Sequence, residues 1–130
     1  MQKLMLFLAG VNGLIAVAAG AFGAHGLKNK LTQEALAVFE TAARYHMYHA
    51  LALLALAAIS GHANTRLLNW AAMSFQCGIV LFSGSLYAMA VSRMEWKWLG
   101  PITPLGGLLL MAGWLLLALA GMSRLTSTSQ

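Results

Sequence analysis

Charged residues are scarce in this sequence: aspartate, glutamate, lysine and arginine together make up 8% of its 130 residues. Soluble domains usually contain about 25% charged residues, which keep their surfaces hydrated. Hydrophobic residues make up 60% of the chain, and a protein of this size exposes too much surface to hide so many of them from water. The composition therefore argues against a soluble protein and predicts a single membrane-embedded domain, residues 1–130.

Residue types that carry much enzyme and metal chemistry are also missing or rare. The chain has no aspartate, so a Ser-His-Asp set cannot form, and hydrolase chemistry would have to use Glu40 with His25 or His49. Cys77 is the only cysteine, which excludes an internal disulfide and a multi-cysteine metal site. The eight lysines and arginines lie singly between apolar runs, whereas nucleic-acid binding usually needs a clustered basic face. We therefore expect no nucleic-acid partner.

Four long apolar segments occupy most of the chain, and each is long enough to cross the roughly 30 Å hydrocarbon core of a bilayer as a helix. Only helices and closed barrels can span lipid, and these segments are too long and too little alternating for barrel strands. The sequence predicts an all-α, integral membrane four-helix bundle with both termini on the same side. The predicted helices are approximately 4–24, 32–60, 67–92 and 102–123.

The first apolar segment also resembles a secretory signal peptide. Lys3 precedes it, and the small residues at 19–21 are similar to a cleavage site. The segments that follow are themselves typical of membrane proteins, which favours an uncleaved first helix. We therefore expect residues 4–24 to be retained.

The second helix has a clear start signal and an unusual charge pair. Thr32 is a good N-cap, and Glu34 lies in the first turn, where an acid favours the helix dipole. Glu40 and Arg44 are spaced as an i,i+4 pair. The simplest interpretation is an exposed interfacial ion pair. The alternative is a pair drawn into the hydrocarbon, which would mark an ion or proton pathway.

The topology predicts where the unusual polar residues meet. Four crossings bring the end of helix one, the start of helix two and the end of helix three to one depth, on the side away from the termini. Polar groups at that depth are costly unless they pair, so we expect them to turn inward. The predicted polar pocket consists of His25, Glu40, Arg44, Tyr45, His49, Ser83, Ser85 and Tyr87. From the helical rows of helix two, His46 is expected to lie outside it.

The histidines and serines also allow other chemistry. His46 and His49 are three positions apart, a spacing that suits two metal ligands, and opposed histidines on two helices can hold a haem. Hydrogen-bonded packing histidines are the simpler interpretation, and we predict no metal and no cofactor. Ser83 and Ser85 resemble nucleophile candidates, but serine in a membrane helix more often bonds to its own preceding turn or to a neighbouring helix.

Several short motifs, in order along nearly the whole chain, resemble those of the YgdD-like family of uncharacterised inner-membrane proteins, known as domain of unknown function 423. The family has relatives among small eukaryotic transmembrane proteins. The resemblance implies a four-helix protein of the bacterial inner membrane and implies no activity. The matching stretches are Gly20 to Leu27, Tyr45-His46, His49 to Leu51, Leu81 to Tyr87, Thr103 to Gly107 and Gly113-Trp114.

For function, we expect a non-enzymatic membrane protein, either a small-molecule or ion-handling bundle or an accessory subunit. One alternative is a membrane redox or metal- or haem-binding enzyme that uses His25, His46 and His49; another is a purely structural subunit of a larger membrane complex. The expected partners are membrane lipids, with a second copy of the chain or a membrane complex as open alternatives. Basic residues flank both sides of the membrane in similar numbers, so the positive-inside rule assigns no orientation.

Overall fold

The structure, a computed structural model, describes residues 1–61 and 65–127, which form four long helices, one short 3-10 turn and no strands. These bounds differ from the predicted ones by a few residues. The predicted break after helix two includes residues 62–64, and the predicted polar tail includes residues 128–130; both of these stretches lie outside the described residues. The predicted all-α four-helix architecture is confirmed. The helices are α1 (Gln2–Leu27), α2 (Gln33–Ile59), α3 (Thr65–Val91) and α4 (Ile102–Ser127).

Each helix packs antiparallel to the next one along the chain. This direction follows from contacts that tie the start of one helix to the end of its neighbour, and it places the start of α1 and the end of α4 at one end of the bundle. These contacts are Gln2 with Ala57 (3.0 Å), Phe39 with Tyr87 (ring centroids 4.9 Å apart) and Ser85 with Thr103 (2.7 Å).

Three of the helices, α1, α3 and α4, are long and apolar enough to span a membrane. The 27 residues of α2 include the exposed side chains of Glu34, Glu40 and Arg44. As predicted, α2 begins after Thr32, whose side-chain oxygen accepts a hydrogen bond from the N–H of Ala35 (3.2 Å). At 1.5 Å per residue α2 is about 40 Å long, roughly 10 Å more than a hydrocarbon core. A crossing helix of this length would extend past the hydrocarbon by about two turns.

Two apolar clusters lie along the bundle axis. The larger one is nearer the termini and draws residues from all four helices; the smaller one lies at the opposite end. The larger cluster includes Met5, Leu53, Leu56, Leu68, Phe75 and Leu110, and the smaller one consists of Leu27, Phe39 and Ala90. A group of polar side chains lies between the two clusters.

Both α1 and α3 contain one π-helical turn, Gly23–Leu27 at the end of α1 and Ile79–Ser83 in the middle of α3. A π-turn adds one residue to a helical turn and is frequent at functional sites. The turn in α3 packs against Gly106 of α4, where any side chain would overlap the backbone of Phe82. The two helices therefore approach closely where a glycine makes room, as is common in membrane bundles.

The end of α3 is closed by an unusual backbone conformation. Arg93 and Met94 have φ angles of 53° and 66°, in the left-handed region that favours glycine. The N–H of Arg93 bonds to the carbonyl of Ala90 (3.0 Å), and the N–H of Met94 bonds to the carbonyl of Met89 (2.9 Å). This pattern is the Schellman motif, in which the first left-handed position is usually glycine.

We expect the substitution Arg93→Gly to stabilise the folded protein by about 1 kcal/mol, because glycine has no Cβ to clash in the left-handed region. Thermal unfolding in a mild detergent should show a higher midpoint. Arg93→Ala keeps the Cβ and serves as the control, for which we expect no gain. A glycine variant that unfolds at or below the midpoint of the alanine variant would contradict this account of the turn.

Candidate functional site

A group of polar side chains joins α1, α2 and α3 in the middle of the bundle. Asn12 and His46 are each only 5% exposed, and His46 Nε2 lies 3.0 Å from Asn12 Oδ1. The Asn12 Nδ2 group donates to the carbonyl of Leu8 (2.7 Å) and to Gln76 Oε1 (2.8 Å). The hydroxyl of Tyr87 lies 3.3 Å from His46 Nδ1. The four side chains Asn12, His46, Gln76 and Tyr87 are termed the central cluster.

The hydrogen bonds of the central cluster fix which nitrogen of His46 carries the proton. The carbonyl of Leu8 can only accept, so the amide nitrogen of Asn12 faces it and the amide oxygen faces His46. Nε2 of His46 must then donate, and in the neutral ring Nδ1 accepts from the hydroxyl of Tyr87. Both ring nitrogens and the Asn12 amide oxygen are therefore paired within the protein, which makes the cluster an interhelical link.

His49 forms a separate contact one turn further along α2. Its Nδ1 donates to the carbonyl of Tyr45 (2.7 Å), so its Nε2 accepts from Trp114 Nε1–H (3.1 Å). The indole ring of Trp114 also packs edge-on against Phe75, with ring centroids 5.2 Å apart. This hydrogen bond links α2 to α4.

An open groove of about 670 Å³ runs between α2 and α4. This volume lies within the range of roughly 300 to 1,000 Å³ that is common for small-molecule sites. Because it lies between two helices, with Phe82 of α3 also in its lining, and is not enclosed, this α2–α4 groove would open sideways toward lipid. Its lining residues are Tyr45, Tyr48, His49, Leu51, Phe82, Gly107, Leu110, Met111 and Trp114.

Two serines of α3 behave differently although they are close in sequence. Ser85 Oγ donates to the carbonyl of Phe82 (3.0 Å), so the hydroxyl of Thr103 donates to Ser85 across 2.7 Å and joins α3 to α4. Ser83 is 1% exposed, and its hydroxyl has no hydrogen-bond partner among the described residues. A serine inside a helix usually bonds to a carbonyl of the preceding turn. Ser83 is the last residue of the π-turn, where the carbonyl spacing differs.

The structure does not bring the eight residues of the predicted polar pocket into one site. His25, Glu40 and Arg44 are exposed, because polar and charged side chains near a membrane interface can extend to headgroups or water and need no inward partner. The other five are divided among three places. Tyr45 and His49 line the α2–α4 groove, Tyr87 belongs to the central cluster, and Ser83 and Ser85 are buried in α3.

The structure also assigns contacts to residues outside that predicted set. His46, expected to lie outside the pocket, is at the centre of the buried polar network. The sequence does carry a signal for these partners, namely depth: Asn12 and Gln76 each lie in a long apolar stretch near the middle of a helix, at the level of His46. The additional partners are Asn12, Gln76, Thr103 and Trp114.

The geometry gives little room for a metal or a haem at the histidines. His25 is exposed, and both ring nitrogens of His46 and of His49 take part in hydrogen bonds. A metal at either buried ring would have to displace Tyr87 or Trp114. Within residues 1–61 and 65–127, no three His, Cys, Asp or Glu side chains are grouped as metal ligands.

The helices and their buried polar links define a small all-helical membrane protein. Residues 19–107 match the family described as "Protein of unknown function (DUF423)". A UPF0382 membrane protein of Staphylococcus aureus (strain bovine RF122 / ET3-1) is 46% identical over 119 residues, which cover 92% of this chain and 95% of that protein. The UPF0382 membrane protein YwdK of Bacillus subtilis (strain 168) is 41% identical over 128 residues, which cover 95% and 100%.

The chain therefore belongs to the DUF423 family of membrane proteins, as the sequence motifs indicated. No solved structure matches it.

Proposed function

We propose that this protein is a non-enzymatic, multi-pass protein of the bacterial inner membrane that holds a lipid-phase small molecule in the α2–α4 groove. The observation that carries the proposal is the groove itself, with a volume of about 670 Å³ between two helices and walls that are mostly apolar and aromatic. Small-molecule sites typically combine such walls with a few polar groups that orient the ligand. Here the side chains that can supply such a polar group are Tyr45 and Tyr48.

The central cluster is a less suitable binding site than the groove. Both nitrogens of His46 and the amide oxygen of Asn12 are already paired within the protein, so a ligand would have to break those bonds first. Tyr45 and Tyr48, in contrast, are 41% and 52% exposed. Both side chains are therefore accessible to a molecule that enters from the side.

The same geometry supports a binding role over a catalytic one. His49 is the one imidazole in the groove lining, and both of its nitrogens are hydrogen-bonded to protein groups. A general base needs a nitrogen that can reach the proton it removes.

The bacterial relatives are named membrane proteins, which supports a membrane location.

We expect the substitution Gly107→Leu to block the groove. A Cβ at position 107 would only touch the ring of Phe82 at 3.7 Å, so the fold can accept a side chain that projects into the groove. The leucine would displace about two methylenes of a bound ligand, at about 0.8 kcal/mol each, so retention should fall roughly tenfold. The measurement is native mass spectrometry of the detergent-purified protein incubated with dioleoylglycerol, a neutral lipid with two acyl chains.

The matched control is Gly121→Leu on the same helix, where no atom lies within 4 Å of the position that a Cβ would take and no groove residue is near in sequence. This variant should retain dioleoylglycerol as the unmodified protein does. Equal retention by all three proteins, each with an unchanged thermal midpoint, would refute the groove as a binding site.

A further inference from the structure

A stripe of exposed residues leads along α2 into the α2–α4 groove. Glu40, Arg44 and Tyr48 follow one another at four-residue spacing, so each lies about one turn from the next on the same helix face. All three are exposed. Tyr48 lines the groove. Arg44 lies one turn nearer the start of α2 than Tyr48, and Glu40 lies one turn nearer still. A cationic residue, Arg44, therefore lies next to the groove, and an acidic residue, Glu40, lies one turn further from it.

The depth of these two charges matches the edge of the hydrocarbon. At 1.5 Å per residue, Arg44 is about 22 Å and Glu40 about 28 Å from Ile59 along the helix axis. A hydrocarbon core is about 30 Å thick. With Ile59 at one interface, Glu40 lies at the other interface and Arg44 lies one turn inside it. The long arginine side chain can extend outward from that depth to the phosphate level.

We propose that the groove holds one acyl chain of a phospholipid whose headgroup carries both a phosphate and a primary ammonium, as in phosphatidylethanolamine. This inference rests on the groove function proposed above and names its ligand class. In such a lipid the phosphate is nearer the acyl chains and the ammonium is further out. Arg44, the deeper residue, offers the planar donor group that suits phosphate oxygens. Glu40, one turn further out, accepts hydrogen bonds from the ammonium.

General electrostatics predicts the opposite lipid preference. The chain has a net charge of +5, and basic residues near a membrane surface attract anionic lipids. An anionic lipid such as phosphatidylglycerol would place a headgroup without any ammonium beside the Glu40 carboxylate. A preference for phosphatidylethanolamine over phosphatidylglycerol therefore separates recognition by the Glu40–Arg44 stripe from attraction by net charge.

The test is a competition between two lipids with the same acyl chains. The full chain in detergent is incubated with equal amounts of dioleoyl phosphatidylethanolamine and dioleoyl phosphatidylglycerol, and native mass spectrometry compares the two lipid-bound species. We expect the phosphatidylethanolamine adduct to exceed the other about threefold, a modest factor because ion pairs at an interface are individually weak. Equal adducts, or an excess of phosphatidylglycerol, would overturn the headgroup assignment.

Three variants test whether the Glu40–Arg44 stripe causes the preference for phosphatidylethanolamine. Glu40→Gln should abolish the threefold preference, because the ammonium loses its partner, while Arg44→Gln should reduce both phospholipid adducts and leave dioleoylglycerol binding unchanged. Glu34→Gln removes an exposed acid from the first turn of α2. This control should change neither the threefold preference nor the amount of either phospholipid adduct. A preference that survives Glu40→Gln would overturn the assignment.

The two proposals fail in different ways. If Gly107→Leu lowers the retention of all three lipids roughly tenfold but the Glu40 and Arg44 variants leave the lipid ratio unchanged, the groove stands and the headgroup assignment falls. If Gly107→Leu changes no adduct at all, the groove function falls and the headgroup assignment falls with it.

Discussion

Replacing His46 with leucine is expected to lower the free energy of unfolding by about 2 to 4 kcal/mol. The change removes the donor to Asn12 Oδ1 and the acceptor for the Tyr87 hydroxyl. Each group left unpaired in the apolar interior costs about 1 to 3 kcal/mol. Interhelical hydrogen bonds in membrane proteins contribute only about 0.6 kcal/mol on average, so most of the loss comes from the abandoned partners. Reversible unfolding of both proteins in mixed micelles measures this difference in the free energy of unfolding.

A glutamine at position 46 is the matched control, because its side-chain amide has both a donor and an acceptor. His46→Gln should therefore recover most of the stability that His46→Leu loses. Adding Asn12→Leu to His46→Leu removes both ends of the 3.0 Å bond, and this double variant should lose less than the sum of the two single losses. Leucine and glutamine variants of equal stability would show that the hydrogen bonds of the central cluster do not support the fold.

Much of the architecture could be predicted from the sequence because lipid leaves few choices. A segment that crosses the hydrocarbon must satisfy its own backbone groups, so each long apolar run becomes a helix. The start of α2 was equally predictable, since Thr32 caps it through a local hydrogen bond to Ala35. These features depend on neighbouring residues in the chain and on the solvent, and not on how the helices pack.

The buried polar contacts were harder to predict, for two physical reasons. First, the π-turn at Ile79–Ser83 adds a residue to one turn of α3, so the faces presented by Ser83, Ser85 and Tyr87 no longer follow a 3.6-residue period. Second, Glu40 and Arg44 were expected to need inward partners, although side chains near an interface can stay exposed. Matching residues by depth alone pairs Asn12 with His46 and Gln76, as the structure does.

The division between a closed cluster and an open groove has a functional consequence. The central cluster links three helices with paired polar groups, which favours one arrangement of those helices over others. The α2–α4 groove lies on the side of α2 that this cluster does not use, where His49 and Trp114 form the polar contact between the two helices. A bundle whose helices are linked in this way can hold an open groove without collapsing into it.

Replacing Gly106 with alanine is expected to cost about 3 kcal/mol of stability, at the upper end of the usual range for overpacking. A Cβ at position 106 would overlap the backbone nitrogen and Cα of Phe82 and the carbonyl carbon of Leu81. Backbone atoms cannot rotate away as side chains can, so α4 would have to move away from α3. At Gly113 the overlap is with the buried side-chain ring of Phe75 and not with backbone, so Gly113→Ala should cost less than Gly106→Ala.

Gly84→Ala is the matched control for Gly106→Ala, because a Cβ there has no atom within 4 Å and the position is helical. It should raise stability by about 0.5 to 1 kcal/mol, the usual gain from alanine inside a helix. Since α4 forms one wall of the α2–α4 groove, Gly106→Ala should also reduce the retention of dioleoylglycerol, and Gly84→Ala should not. The measurements are the thermal midpoint and the retention of dioleoylglycerol for both variants. If Gly106→Ala and Gly84→Ala have the same midpoint and the same retention, close approach at Gly106 neither holds α4 in place nor shapes the groove.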